Sequence, residues 1–499
     1  MPSRLNRAAR SPRLRKIWST YVPYALGIAG NAGLNILLIS FLTHRLAPSE
    51  YGTYSVAVTV IVLASSIAGQ WLQQATGRYL AGSSATASNY TKAAVLLGAS
   101  GITLVILVLY GLVALFLLFD SKHGAGLWLA CLFAVAAQTL YTLVGTSLQS
   151  EQRAWSYSVQ QTCSGGLKIG FSVLVCRASQ QNVDGLLYVG AGAQLIGIAF
   201  GAWRARFLDP AVLRKLGSPR TLLILRKLRV YGGVMTLWFI FMNLAMYCDR
   251  LLVRALAGPA AAGLYGAAST LVVGSVSLVM APILAATWPQ LMATWNMKNE
   301  RAASRLLGDL LTYLLCAGVA LVAIVNAVAE PATRLFLGAR FSGASTLLPL
   351  LTASALSFSL GPFFHKPLEF KERKATMCAF AAIVLLVNAI LSAVLTPRLG
   401  GIGAGTAALV SGGFYCVLST VRGRKIVPWR IRIDRLATVS VLAIAASFFS
   451  RRVSSSWHFD GNLWDFMAAS AVFVVLFGVA IAGTWVMIST CRRLKIMGG

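Results

Sequence analysis

The chain has few acidic residues and lacks the motifs of a soluble enzyme. Only 14 of its 499 residues are Asp or Glu, and no G-x-x-x-x-G-K-[ST] phosphate-binding loop occurs. Its eight cysteines form neither a C-x-x-C pair nor a Cys/His cluster. These absences argue against a nucleotide-driven pump, a disulfide framework and a zinc site. We therefore predict that the protein is not an enzyme and has no catalytic residue, metal site or cofactor.

Long hydrophobic runs are abundant instead. Hydrophobic residues make up 57% of the chain, charged residues 12%, and the mean hydropathy is +0.72. This composition predicts an all-α integral membrane protein. The apolar runs predict about 14 transmembrane helices, at 18–43, 53–76, 93–119, 126–150, 158–177, 186–203, 231–256, 264–294, 306–329, 344–363, 375–396, 402–421, 435–450 and 464–490.

The basic residues are distributed unequally between the loops. The formal net charge is +30, and 33 of the 44 Lys and Arg residues fall in alternate loops on the side that also holds both termini. Because cytoplasmic loops carry the excess of Lys and Arg, we predict that both termini are cytoplasmic. The charge is explained by membrane topology, so we predict no nucleic-acid partner.

A short motif occurs twice. Pro48, Gly52 and Tyr54 are repeated 211 residues later as Pro259, Gly263 and Tyr265, each time where one apolar run ends and the next begins. The repeat predicts two pseudo-repeated six-helix lobes and an appended helix pair, as in transporters built from duplicated halves. The predicted domains are a basic tail 1–17, an N-lobe 18–203, a basic linker 204–230, a C-lobe 231–421, a basic loop 422–434, helices 13–14 at 435–490 and a tail 491–499.

Ionisable residues within the spans are the first candidates for a functional site, because charge inside a bilayer is costly. Lys168 lies near the middle of the fifth span, where it predicts either an anion-binding lumen residue or a buried structural pair. In the seventh span, Asn243, Tyr247, Arg250 and Arg254 share one helical stripe. Arg and Lys suit a diphosphate. The alternative is that Asp249, beside the stripe, pairs with Arg250 or another base.

Amide side chains line the first two spans. Asn31 and Asn35 are four residues apart, as are Gln70 and Gln74, and Arg78 is four residues further on. Stripes of this kind can hydrogen-bond sugar hydroxyls in a cavity, although amides also join membrane helices to one another. Both interpretations stay open for each residue.

The elements RLAPSEYGTYSVA and DRLLVRALAGPAAAGLYGAAS, with fourteen spans, resemble the bacterial polysaccharide transporter family. This is the O-antigen and exopolysaccharide flippase branch of the multidrug/oligosaccharidyl-lipid/polysaccharide exporter superfamily. The resemblance implies translocation of undecaprenyl-diphosphate-linked oligosaccharide across the bacterial inner membrane by alternating access. It also implies a polysaccharide polymerase and a chain-length regulator as partners. Ion counterflow is suspected to drive transport in some members of the family. Because acidic residues are scarce within the spans, Asp249 and Asp309 are the candidate coupling sites here.

Three alternatives remain. A small-molecule or drug antiporter of the same superfamily fits the topology, but spans 1–6 hold no Asp or Glu clearly inside the membrane. A lipid II flippase is close in mechanism, yet the Arg-Asp signature expected in its first helix is missing. A membrane enzyme is disfavoured by the short external loops.

Overall fold

The computed structural model describes residues 12–81, 84–119, 125–178, 183–297, 299–456 and 463–478, and every regular element among them is helical. We number the longer helices in chain order as α1 Pro12–Arg45, α2 Pro48–Tyr79, α3 Ala85–Phe119, α4 Ala125–Ser150, α5 Ala154–Ala178, α6 Val183–Arg204, α7 Pro219–Asn296, α8 Glu300–Phe336, α9 Leu348–Phe364, α10 Lys374–Leu399, α11 Gly401–Arg424, α12 Ile433–Ser456 and α13 Leu463–Gly478. Short helices occupy Pro210–Leu213, Ala339–Ala344 and Lys366–Phe370.

The helix α7 is broken at Gly258, which has φ 88° and ψ 175°. Glycine tolerates this positive φ, and Pro259 then starts the second arm with its fixed backbone angle. In the first half, extended Ala47 precedes Pro48 in the same way, and its N–H donates to the Glu50 carboxylate at 2.8 Å. In both copies of the repeated motif, the proline therefore begins a helix directly after a residue with non-helical backbone.

Ten helical segments within the described residues are long and apolar enough to cross a membrane. Apolar chain in a bilayer forms helices because no water is present to bond its N–H and C=O groups. The predicted class, an all-α membrane protein, is therefore confirmed. The number fourteen stays a prediction, because the two arms of α7 merge into one apolar segment at 236–280 and α9 has only 17 residues.

The helices pack in two sets. Helices α1 to α6 contact one another, the arms of α7 contact α9, α10 and α11, and α8 packs on α9 and α12. The sets meet mainly through α2 and α1 against α7. The largest buried hydrophobic cluster, which includes Leu42, Tyr51, Tyr265 and Phe341, runs through this junction. The domain boundaries given above remain predictions. Residues 1–11 of the predicted N-terminal tail, 479–490 of the predicted helix 14 and the whole predicted tail 491–499 lie outside the described residues.

The two ends of the helix bundle are named here by the segments that they hold. We call the end that holds Pro48 and Gly258 the motif end, and the end that holds the connection 205–218 the linker end. The predicted linker 204–230 is mostly ordered helix, since α7 begins at Pro219 and runs without a break into the following span.

Candidate functional site

The two copies of the repeated motif touch each other at the motif end. A Cβ atom added to Gly52 would lie 2.1 Å from the Pro259 carbonyl oxygen, and one added to Gly263 would lie 1.8 Å from the Pro48 carbonyl oxygen. Neither position has room for a side chain. The contact is reciprocal, as expected for two repeats related by an approximate two-fold axis. The halves are therefore joined at this end by backbone against backbone.

Directly beneath this contact lies a buried carboxylate, Asp249, which is 2% exposed. Asn388 Nδ2 donates to one of its oxygens at 2.8 Å, the Tyr265 hydroxyl donates to the other at 3.2 Å, and Ser392 Oγ lies 3.5 Å away. Neutral donors thus hold the carboxylate, and no ion pair in the described part of the chain includes it. The charge of Arg250 is near enough to act on the Asp249 carboxylate, but no direct ion pair joins Asp249 to Arg250 or to another base within the described residues.

The neighbouring Arg250 is 9% exposed. Its guanidinium carbon lies 5.8 Å from the centre of the Tyr247 ring. Within the described residues it has no hydrogen bond or ion pair. A cavity of about 40 Å³ adjoins Tyr247, Asp249, Arg250 and Tyr265, which is room for a few water molecules only. The structure therefore holds a buried, unpaired guanidinium next to a small polar cavity.

Lys168 lies half-buried between α5 and α6, with its Cε atom 3.4 Å from the place where a Gly190 Cβ would be. It too has no hydrogen-bond or ion-pair partner among the described residues. Asn31 of α1 faces the same helix, since its Oδ1 is 3.4 Å from the place of a Gly165 Cβ. Asn35 donates to the Asn31 carbonyl at 2.9 Å. Asn31 and Asn35 therefore lie together beside α5, the helix that also carries Lys168.

Some of the remaining amides join two helices, and others make no hydrogen bond within the described residues. Asn243 of α7 lies 3.5 Å from Ser66 Oγ of α2, so it bridges the two halves. Gln73, next to Gln74 on α2, donates to Thr142 of α4 at 2.6 Å. Gln70 and Gln74 are half-buried and make no hydrogen bond within the described residues.

Three further candidates lie away from Asp249, Arg250 and Lys168. Arg254 donates to Thr53 Oγ1 at 3.2 Å near the motif end. Arg78 lies over the Tyr231 ring at 4.5 Å near the linker end. Asp309 forms a half-exposed ion pair with Arg432 at 3.1 Å. The predicted site residues therefore do not form one cluster: Arg254 lies near the motif end, Arg78 near the linker end, and the others lie between them or, as Asp309 does, in a separate ion pair.

Sequence reasoning missed Asn388 and Ser392, both fully buried on α10. Their spacing of four residues in an otherwise apolar helix was the available signal. Only the fold, however, places them against Asp249, about 140 residues earlier in the chain.

A second buried polar group lies after α9. His365 Nδ1 is 2.7 Å from the Tyr415 hydroxyl, to which Trp238 Nε1 also donates at 3.1 Å. Fully buried Lys366 pairs with Glu369 at 2.6 Å. Burial lowers the pKa of His365 to about 3 and that of Lys366 to about 8. The imidazole is therefore neutral near pH 7.

An apolar cavity of about 730 Å³ runs between α8, α9 and α12. Its walls are almost entirely aliphatic and aromatic, with Asn326, Ser440, Ser447 and Arg451 among the few polar residues. A space of this character suits hydrocarbon.

Comparison with known proteins identifies the class. A family model described as "Polysaccharide biosynthesis protein" matches residues 20–295, more than half of the chain. The chain belongs to this family, as the sequence resemblance predicted. No curated protein matches it by sequence.

Solved structures agree on the fold. "Lipid II flippase MurJ, inward closed conformation" aligns with a TM-score of 0.68 and 13% identity, over 94% of this chain and 98% of that one. An "Inward-facing conformation of a multidrug resistance MATE family transporter of the MOP superfamily" aligns with a TM-score of 0.64 and 14% identity, over 82% and 96%. At such identities the likeness establishes the fold, which is that of MurJ and the MATE transporters.

Proposed function

We propose that the protein is a flippase that moves undecaprenyl-diphosphate-linked oligosaccharide across the bacterial inner membrane, in O-antigen, lipopolysaccharide, capsule or exopolysaccharide biosynthesis. The observation that carries the proposal is Arg250, a guanidinium 9% exposed and unpaired within the described residues. A buried cation with no hydrogen bond or ion pair is costly, which favours a transient anionic ligand. Guanidinium donates two parallel hydrogen bonds to phosphate oxygens, so a diphosphate fits this chemistry.

The other candidates extend the proposal along the bundle. Lys168, also unpaired, supplies a second cation to the diphosphate or to acidic sugars. Amides for sugar hydroxyls come from Asn31, Asn35, Gln70 and Gln74. The same stripe of α7 that carries Arg250 also carries Asn243 and Tyr247. Arg254 and Arg78 provide positive charge at the two ends of the route. The prenyl chain stays in hydrocarbon, for which the cavity between α8, α9 and α12 supplies a surface.

Transport requires a change of shape in this proposal. The cavity beside Arg250 holds about 40 Å³, too little for a sugar, so the ligand needs a more open state. If both termini are cytoplasmic, the motif end faces the periplasm. Opening there requires Gly52 to separate from Pro259, and Gly263 from Pro48. The reciprocal glycine contact then acts as the periplasmic closure in an alternating-access cycle.

Asp249 is the favoured coupling residue. It is buried, and its partners Asn388, Ser392 and Tyr265 come from two other helical segments. A change in its protonation or the binding of a cation alters how these segments pack. Asp309 is the weaker candidate because it is half-exposed and already paired with Arg432.

The experiment that tests the function is depletion of the protein in cells, with quantification of undecaprenyl-diphosphate oligosaccharide and of surface polysaccharide. We expect lipid-linked units to accumulate while surface polymer disappears. Accumulation of lipid II instead would identify a lipid II flippase. Normal levels of both lipids, together with new sensitivity to cationic drugs, would identify a drug antiporter.

Substitution of Lys168 tests the site in the same cells. We expect Lys168→Ala to abolish surface polysaccharide at normal protein level, and Lys168→Arg to retain part of it because the charge is kept. Lys425→Ala, at an exposed lysine of the linker end, is the matched control and should have no effect. Full activity of Lys168→Ala would exclude Lys168 as a ligand.

A further inference from the structure

A basic cleft lies at the linker end, between α2, the start of α7 and the start of α10. Its volume is about 510 Å³, and its lining includes Arg226, Lys227, Tyr231 and Lys374. Arg78 adjoins the cleft through Tyr231, with its guanidinium 4.5 Å from the centre of that ring. Lys374 Nζ lies 5.3 Å from the same ring. One tyrosine thus holds two cations from different helices at a single opening.

The cations of this cleft carry more positive charge than the single nearby carboxylate, Glu372, offsets. Within the described residues, none of Arg78, Arg226, Lys227 and Lys374 forms an ion pair with a carboxylate. Glu372, in the connection before α10, is near enough for its charge to act on Arg78, but it forms no direct ion pair with any of the four within the described residues. Like charges gathered in one cleft repel, so an anionic ligand there is favoured.

Nearby cations of the same linker provide a contrast. Lys215 Nζ donates to the Tyr90 hydroxyl at 3.2 Å, and the Arg220 guanidinium lies 4.7 Å from that ring. These two residues fasten the linker to α3. The cleft cations, in contrast, surround open space.

Exposed apolar side chains flank the cleft. Leu223 is 60% exposed, Val230 70% and Leu222 56%, all on the first turns of α7 next to Arg226 and Lys227. Cations beside exposed aliphatic side chains at the end of a membrane helix match a lipid, whose phosphate binds the charges while its acyl chains cover the aliphatic surface.

We propose that this cleft binds the phosphate head group of an anionic phospholipid, with Arg78, Arg226, Lys227 and Lys374 as its cationic ligands. The cleft lies apart from Arg250 and shares only Arg78 with the proposed transport route, so the lipid proposal does not depend on the transport function. It places a bound lipid where α2 of the first half meets α7 and α10 of the second.

The test uses the full-length protein in neutral detergent, titrated with phosphatidylglycerol and monitored by native mass spectrometry. Each cation near a membrane surface contributes a factor of about five in affinity. We therefore expect Lys374→Gln to weaken phosphatidylglycerol binding by about five-fold and the double variant Arg226→Gln/Lys227→Gln by roughly thirty-fold. Phosphatidylcholine serves as the lipid of zero net charge.

Arg229→Gln is the matched control, because Arg229 is an exposed cation of the same helix that does not line the cleft. It should leave binding unchanged, and thermal unfolding should report folded protein for every variant. Unchanged binding in both cleft variants would overturn the proposal, as would an equal loss in the control. A parallel titration with undecaprenyl diphosphate separates the two lipid sources. If only that lipid depends on the cleft, the site serves the transported lipid and the phospholipid assignment is wrong.

Discussion

The two halves of the molecule share a backbone motif but differ in the chemistry beneath it. In the second half, Asp249 and Arg250 lie ten and nine residues before Pro259. The 211-residue offset puts Leu38 and Ile39 at the equivalent places before Pro48, and both are buried, at 5% and 2% exposed. The symmetric part is therefore the glycine contact, and the charged part belongs to one half only. Closure and ligand chemistry are thus assigned to different residues, which can be altered separately.

The largest effect is expected from breaking the symmetric contact. Gly263→Ala puts a Cβ atom into the Pro48 carbonyl, so the helices must move apart at the motif end. We expect surface polysaccharide to be lost and the distance between spin labels on α2 and the second arm of α7 to increase. Gly33→Ala is the control, because a Cβ there meets nothing within 4 Å. An unchanged distance in Gly263→Ala would show that the contact does not hold this end closed.

A second change makes the charged half resemble the apolar half. Arg250→Leu removes the unpaired buried charge and leaves hydrophobic surface, as at Ile39. We expect transport to be lost while the protein stays folded with little loss of stability, because Arg250 has no hydrogen bond or ion pair within the described residues. Thermal unfolding in detergent and accumulation of the lipid-linked glycan measure the two effects. A stability loss would instead mean that Arg250 has a structural role.

The third prediction concerns the second half alone and its response to acid. Unfolded His365 binds a proton below about pH 6.5, whereas burial keeps its folded pKa near 3. The unfolded state therefore binds more protons between these values, and stability falls as pH drops through this window, by up to about 1.4 kcal/mol per pH unit. Unfolding midpoints at pH 7.5, 6 and 5 should decline. His365→Gln should flatten this decline, and an equally steep decline in that variant would assign it to other groups.

The smallest effect is expected at Asp309, which sharpens the contrast between the two candidate coupling acids. Asp309→Asn removes an exposed ion pair with Arg432, worth about 0–1 kcal/mol. We expect transport to persist with its pH dependence intact. Asp249→Asn, in contrast, should change the dependence of transport in proteoliposomes on the imposed ion gradient. If the two variants exchange these results, coupling lies at Asp309.

Much of the fold could be predicted from the chain, but less of the site. Apolar runs and the Pro48 and Pro259 motifs located the helices and the duplication, since both depend on local sequence. The stripe from Asn243 to Arg254 predicted a shared helical face. It did not predict that Arg254 would bond Thr53 near the motif end while Asn243 bridges to Ser66, because partners depend on the packing of distant helices.

The sequence by itself determined that this chain crosses a membrane, and it predicted that its basic residues favour one side and that its halves are related. These properties follow from hydrophobicity, charge and repetition, which need no tertiary contact. Only the tertiary structure decided that the repeated glycines touch, that Asn388 and Ser392 hold Asp249, and that Arg250 has no hydrogen bond or ion pair within the described residues. Such pairings depend on helices brought together from more than a hundred residues apart, where ångström-scale packing decides which polar groups meet.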